Sequence, residues 1–299
     1  MNDQPLVSIL CAAFNQEKYI AQTIEGFLMQ KVDFPVEIII HDDASTDRTA
    51  DIIRKYEKEY PNKIKGIYQT ENQYSKKVPI WDTFIYPKAT GKYFAECEGD
   101  DYWTDPNKLK MQVDFLESHE DYVAIGHNVR IVDDSGAPMT QDNPIWRKWF
   151  TTYTCMEDRD YALQDFEKGI MFGHSCTRIF RSSIQKRQAD PNRKEIKMSH
   201  TNGDVALSLR CFCTGKVRCC SLVAADHRKS ISNDSWTSKP YKKNMTRRDI
   251  LSLFEQEEFA NSYGIFPDFT DQQYRHVRAS FKLFLHTKSW KDFSIFIGN

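Results

Sequence analysis

A doubly wound α/β fold, with a mostly parallel sheet flanked by helices, is predicted by three features of the sequence. Short apolar runs rich in β-branched residues, V-S-I-L-C-A-A at 7–13 and V-E-I-I-I at 36–40, have the composition of buried parallel strands. Segments with apolar residues at helical spacing follow them, as βαβ units require. Polar and acidic clusters stand just after the strands, at 14–17, 41–47 and 98–101. Ligands of such sheets bind at the carboxyl ends of the strands.

The elements follow in order. After the strand at 7–13, residues 16–30 place Ile20, Ile24, Phe27 and Leu28 on one helical face. The strand at 36–40 precedes a helix over 47–60 with Ile52, Ile53 and Tyr56 on one face. A third strand is expected at 64–69, a helix at 78–89 and a fourth strand at 92–97. Pro106 can open a helix over 106–118 at its first turn. Strands are expected at 122–132, 175–181 and 216–225, and helices at 204–212, 241–262 and 270–287. The pattern weakens over 133–170, and 182–200 reads as a polar, basic loop.

Composition excludes the extreme classes. The 299 residues are 40% apolar and 28% charged, an ordinary globular mix that fits one large domain or one with an elaborated second half. The net charge of −1 conceals an asymmetry. Residues 1–140 hold 24 acids against 15 bases, and residues 141–299 hold 18 against 26. An acidic half suits a divalent cation, and a basic half suits an anionic substrate or membrane surface; chance distribution of solvated side chains is the plain alternative. No basic start followed by an apolar stretch opens the chain and no window approaches a bilayer span, so a cytoplasmic protein is expected. The eight cysteines are then expected to be reduced. The C-x-C and C-C pairs at 211–220 lack the C-x-x-C spacing of zinc sites and read as buried thiols.

Three clusters carry candidate chemistry. In E-C-E-G-D-D-Y-W at 96–103, the carboxylates of Glu98, Asp100 and Asp101 crowd the end of a strand. Such carboxylates repel unless a cation intervenes, and hard oxygen ligands suit Mg²⁺ or Mn²⁺. A solvated acidic turn is the alternative. In H-D-D-A-S-T-D at 41–47, Asp42 and Asp43 could accept hydrogen bonds from a base or ribose, while Ser45, Thr46 and Asp47 suit capping. In T-N-G-D at 201–204, Asp204 could cap a helix or act as a general base.

Together these pieces resemble glycosyltransferase family 2, the GT-A fold enzymes. The likeness is strongest over residues 5–130 and thinner to about 236. P-L-V-S-I-L-C-A-A-F-N-Q-E-K-Y-I resembles the family's first strand and nucleotide loop, E-I-I-I-H-D-D-A-S-T-D-R-T its uridine-contacting strand end, and E-G-D-D-Y-W-T-D-P-N-K-L-K-M-Q-V-D-F-L its metal motif and following helix. The resemblance implies a GT-A (Rossmann-like) domain over 1–236, with a nucleotide and metal half at 1–130 and an acceptor half at 131–236, and a helical extension at 237–299. It implies an inverting transfer from a nucleotide diphosphate sugar, UDP-sugar by the motif, in polysaccharide or glycan synthesis. Ala13, Phe14, Asn15, Glu17, Asp42, Glu98, Asp100 and Arg228 would meet the donor. Asp100 and Asp101, with His227, would meet Mg²⁺ or Mn²⁺, and Asp204 would be the catalytic base. Glu98 departs from the family, which often has Asp there. In A-D-H-R-K-S at 225–230, Ser230 occupies the region where the family often has a His.

The basic 181–197 stretch and the late helices suggest a glycan or lipid-linked acceptor at the inner face of a membrane; they could equally serve a homodimer. Trp103, Trp146, Trp149 and Trp236 could stack on sugars or anchor the core, and 144–150 could form an acceptor loop. A nucleotidyltransferase would want a Gly- and Lys/Arg-rich loop after the first strand, where Phe14, Asn15 and Gln16 stand instead. A non-catalytic nucleotide-sugar binder would not need Asp204. No basic stripe with interleaved aromatics suggests nucleic acid.

Overall fold

The first strand lies at the centre of the parallel half, buried on both faces: in β1 (Val7–Ala13) only Ala12 is not fully buried. It pairs in parallel with β2 (Val36–Asp42) on one side and β4 (Tyr93–Glu96) on the other, and β3 (Ile64–Tyr68) extends the parallel set beyond β2. The structure, a computed structural model, describes residues 4–140, 156–185, 196, 198–229, 245–275 and 278. The predicted 144–150 loop, Trp146, Trp149, Trp236 and most of the basic 181–197 stretch lie outside the described residues.

Beyond β4 the sheet is mixed. β8 (Ile179–Arg181) runs antiparallel to both β4 and β6 (Tyr122–Val132), and β9 (Lys216–Arg228) runs parallel to β6. β5 (Tyr102–Trp103) and β7 (Arg159–Tyr161) pair antiparallel with β9. The nine strands follow the order β3-β2-β1-β4-β8-β6-β9-β5, with β7 also on β9. Pairing of Tyr102 with Asp226 sets the residues just before β5 beside the end of β9. The expected α/β class with helices against the sheet is what forms.

Helix α1 (Ile20–Leu28) buries Ile20, Thr23, Ile24 and Phe27, the face its spacing predicts. Gly26 lets it approach β5, since a Cβ there would lie 3.0 Å from the Trp103 backbone. The Phe27 and Trp103 rings meet edge to face at 4.9 Å, and Trp103 Nε1 donates to the Cys176 carbonyl at 2.8 Å. Trp103 is therefore a core anchor. Helices α2 (Thr49–Glu59) and α3 (Lys108–Ser118) form as expected.

Two expectations shift. The helix expected over 78–89 is a π-helical turn (Trp81–Ile85) followed by a 3₁₀ turn (Tyr86–Lys88). Pro87 has no N–H to continue an α-helical ladder. The strand expected from 175 begins at Ile179, after a 3₁₀ turn at Ser175–Thr177. Thr177 N and Oγ1 both donate to the His174 carbonyl, at 3.0 and 2.8 Å, which closes that turn.

The chain divides into two compact units. The first comprises Met1–Tyr161, Phe172–Arg187 and Gly215–Ile231, and the second Ala162–Met171, Gln188–Thr214 and Ser232–Asn299. The second has its own core. Phe166 of α4 (Leu163–Glu167), Leu209 and Cys213 of α5 (Gly203–Thr214), Leu253, Phe259 and Ala260 of α6 (Met245–Asn261), and Phe269 pack together. Cys211 and Cys213 are buried on α5 and Cys219 on β9, with Cys220 half-buried beside it.

The first unit also buries a cation. Lys108 is fully buried, with Nζ 4.1 Å from the Trp103 ring centre and 2.9 Å from Gln112 Oε1. Burial lowers its pKa to about 8. The folded value lies below the unfolded one, so its destabilising contribution is complete below about pH 8 and fades as pH rises toward the ordinary lysine range. A Lys108→Met chain should lack that rise. Urea unfolding of both proteins between about pH 7 and about pH 10 checks this, and the gap between the two curves should narrow with increasing pH.

Candidate active site

Two loops at the carboxyl ends of β1 and β2 are tied together by side chains from both. Asn15 N donates to Ser45 Oγ at 2.9 Å, and Thr46 N returns a bond to Asn15 Oδ1 at 2.8 Å. Gln16 N meets Thr49 Oγ1 at 2.7 Å, and Glu17 N meets Asp47 Oδ2 at 3.0 Å. Glu17 Oε2 accepts from Arg48 N at 3.1 Å. Asn15 takes a left-handed φ of 51° and Ala44 one of 60°. Asn15 and Glu17, expected at the donor, thus brace its loop. Asp47 does cap, through Thr49 N at 2.9 Å, from one residue further out than the helix boundary. Phe14 is left 44% exposed at the crest, and Ala13 is buried with its carbonyl taken by Asp43 N at 3.0 Å.

The two carboxylates after β2 have different work. Asp43 accepts from Gln73 N at 2.8 Å and Tyr74 N at 3.0 Å, which holds the 72–75 turn. Asp42 accepts only Ser45 N, at 3.2 Å on Oδ2, and its buried Oδ1 has no hydrogen-bond partner. A buried acceptor without a donor is costly, so Asp42 Oδ1 is suited to an N–H or O–H brought by a ligand.

The loop after β4 repeats this division. Gly99 N donates to the Ala12 carbonyl at 3.0 Å, and a Cβ on Gly99 would meet Gln16 Oε1 at 2.4 Å and the Ala13 Cβ at 3.1 Å. A larger residue there would have to displace the Gln16 side chain and press on Ile20 and Ala13. Glu98 is exposed and Asp100 half-buried, while Asp101 is fully buried. Asp101 Oδ1 accepts from His227 Nδ1 and from Arg228 N, each at 2.9 Å, and Oδ2 lies 3.1 Å from His227 Nδ1 and 3.5 Å from His174 Nδ1. Its carboxylate stitches the loop to β9. Asp100, one residue earlier, has its carbonyl held by Arg228 Nη1, and no other described residue is seen to donate to its carboxylate. Burial first, and then the Asp101 charge, push its carboxyl up to about 7. A second positive charge brought to that position would relieve both effects, so the residues fit a cation.

Arg228 is less open to a phosphate than its place in the sequence suggests. Besides the Asp100 carbonyl, it donates through Nη2 to Gln22 Oε1 at 2.8 Å, and its guanidinium lies 4.3 Å from the Tyr19 ring centre and 5.0 Å from that of Tyr102. Asp204 stands half-buried in the first turn of α5, in the second unit. The geometry therefore brings Ala13, Phe14, Asn15, Glu17, Asp42, Glu98, Asp100, Asp101, His227 and Arg228 to the strand ends of the first unit. Two residues at this centre escaped sequence reading. His174 stacks on His227 with ring centres 3.9 Å apart, and Cys176 lies 3.3 Å from His174 Nδ1. Their signal is G-H-S-C-T at 173–177, where Gly173 takes a φ of 104°.

Comparison with known proteins identifies the family and the fold. The family model described as Glycosyl transferase family 2 matches residues 8–187. An uncharacterized protein of Mycobacterium bovis, Mb1547, is 41% identical over 145 residues, covering 48% of this chain and 40% of its own. The UDP-Glc:alpha-D-GlcNAc-diphosphoundecaprenol beta-1,3-glucosyltransferase WfaP of Escherichia coli is 38% identical over 117 residues, 38% of this chain and 43% of its own. The match thus spans less than half the length of either relative. The crystal structure of S. aureus TarS 1-349 in complex with UDP-GlcNAc superposes with a TM-score of 0.55 at 18% identity, over 86% of this chain and 72% of that one, and so shares the fold.

The two acids of the third cluster should respond differently to removal. Asp101→Ala leaves Arg228 N and the His227 imidazole without their buried acceptor and should lower unfolding stability by about 3–5 kcal/mol. Asp100→Ala removes a repelled carboxylate and should change it by less than about 1 kcal/mol. Urea denaturation of the two variants beside the wild type is the measurement.

Proposed function

The chain belongs to glycosyl transferase family 2, and from that premise we propose that it moves a hexosyl group from a nucleoside diphosphate sugar, UDP-linked, to an acceptor hydroxyl with inversion. The observation that carries the reading is the contrast within the acidic loop: Asp101 is consumed by the fold, while Asp100 is held at the strand ends with its carboxyl raised to about 7.

Asp42 accepts a hydrogen bond from the base or ribose through Oδ1, and Phe14 lies against the nucleotide. Asp100 and His227 would hold the divalent cation, Mg²⁺ or Mn²⁺. His227 donates through Nδ1 to Asp101, a carboxylate–imidazole arrangement that turns the Nε2 lone pair toward a metal. Asp101 is then a positioning residue. When bound, the cation neutralises charge on the departing diphosphate. Asp204 accepts the proton of the acceptor hydroxyl as that oxygen attacks the anomeric carbon, and the bond to the diphosphate breaks on the opposite face. Arg228 fixes the Asp100 backbone and α1 relative to each other.

The WfaP name specifies a diphosphoundecaprenol-linked acceptor for that protein. A lipid-linked acceptor is the reading we carry over, and it suits the basic second half of the sequence. No helix among the described residues is long and apolar enough to cross a membrane, so such an acceptor would be met at a surface, on the cytoplasmic side.

Asp204→Asn should lower turnover by at least about a hundredfold while donor binding stays near wild type. Asp100→Ala should abolish the cation-dependent part of donor binding. Calorimetry with UDP-sugars, with and without Mn²⁺, alongside a turnover assay, separates the two; near-normal turnover by Asp204→Asn would end its assignment as the base.

A further inference from the structure

Beneath the acidic loop lies a second constellation, of which the proposed glycosyl transfer uses only Asp101, as the brace of His227. Asp101, His174 and Cys176 each offer one donor atom, and these atoms all lie within 4.8 Å of one another. Asp101 and Cys176 are fully buried and His174 is 6% exposed. His174 Nδ1 stands 3.5 Å from Asp101 Oδ2 and 3.3 Å from Cys176 Sγ. Ligands about 2.0–2.3 Å from a tetrahedral zinc are separated from each other by roughly 3.4–3.6 Å. The two spacings from His174 Nδ1 are close to the edges of such a tetrahedron.

The backbone has been shaped to hold these donors. Gly173 enters the turn at a φ of 104°, which a side chain would resist. Thr177 closes the turn on the His174 carbonyl through both N and Oγ1. Trp103 Nε1 pins the Cys176 carbonyl from the other side. Asp101 has its Oδ1 fixed by Arg228 N and His227, and its Oδ2, 3.1 Å from His227 Nδ1, also stands 3.5 Å from His174 Nδ1. A ligand set whose members are each fixed by bonds outside the set is what a metal site requires.

We propose that Asp101 Oδ2, His174 Nδ1 and Cys176 Sγ form a buried site for a borderline-soft divalent ion of the zinc type, separate from the hard cation at Asp100. One thiolate, one imidazole and one carboxylate select Zn²⁺ over Mg²⁺ or Mn²⁺, which prefer oxygen. On binding, the Cys176 thiol gives its proton to solvent and the S–metal bond takes its place. Thiolate and carboxylate together neutralise the ion, so the buried site carries no net charge. The ion would fasten the acidic loop to the 173–177 turn and steady Asp100 from below. This site stands whether or not the chain transfers sugars.

Cobalt substitution in the full chain tests it, because thiolate-bound Co²⁺ gives a near-ultraviolet charge-transfer band that oxygen-bound Co²⁺ does not. The wild type should take up about one equivalent with that band and melt at a higher temperature than the chelator-treated chain. Asp100→Asn should keep the band. Cys176→Ser should lose it, as should His174→Gln. A wild-type protein whose bound Co²⁺ shows no thiolate band overturns the proposal, as does a band that survives Cys176→Ser or disappears in Asp100→Asn. If Cys176→Ser does not fold, the wild-type and Asp100→Asn spectra still decide between the outcomes.

Discussion

One buried carboxylate holds the corner between the loop after β4 and the end of β9 together. Asp101 is fully enclosed, and it accepts the Arg228 amide and the His227 imidazole from the last residues of β9. Strand pairing alone brings β5 beside β9 over only two residue pairs. The carboxylate turns that short contact into a fixed corner. Burial disfavours its charge, and the donors around it offset the penalty. Arg228 extends the corner to α1 through Gln22, so the loop, the strand and the helix share one hydrogen-bonded joint.

The same division of labour recurs at β2. In each acidic pair one member is committed to the protein and its neighbour is left for something else. Asp43 binds two backbone amides of the 72–75 turn, while Asp42 keeps a buried oxygen without a donor. Asp101 binds β9, while Asp100 accepts no hydrogen bond from another described side chain and is raised by its surroundings. Consecutive side chains leaving a strand point to opposite sides, so a pair of acids naturally separates into an inward brace and an outward ligand. The crossed bonds between Asn15 and Ser45–Thr46 tie the β1 and β2 loops together beside Asp42.

Much of this was legible in the sequence because the strands are locally determined. The runs at 7–13 and 36–40 are dominated by apolar, largely β-branched residues, which is the composition of buried parallel strands. The acidic clusters after them marked the rim. What could not be read was which acid of each pair turns inward, since that depends on partners 30 residues away for Asp43 and 126 for Asp101. The extended form of the first residues after 174 was misread for a similar reason. The turn that replaces it is set by Thr177 bonding back to His174, and periodicity does not report such bonds. His174 and Cys176 stayed hidden because i and i+2 donors become neighbours only once that turn has formed.

The pairing also explains how a chain can keep an unfavourable carboxylate at its rim. Asp100 would relax by turning to solvent or by gaining a donor, yet its carbonyl is gripped by Arg228 and its neighbour by β9. The Arg228 guanidinium also lies 4.3 Å from the Tyr19 ring centre and 5.0 Å from that of Tyr102, contacts that add to the grip. The energy that holds Asp100 in place thus comes from contacts that ligand binding does not disturb. A cation arriving there would meet a preformed position and would not have to reorganise the loop.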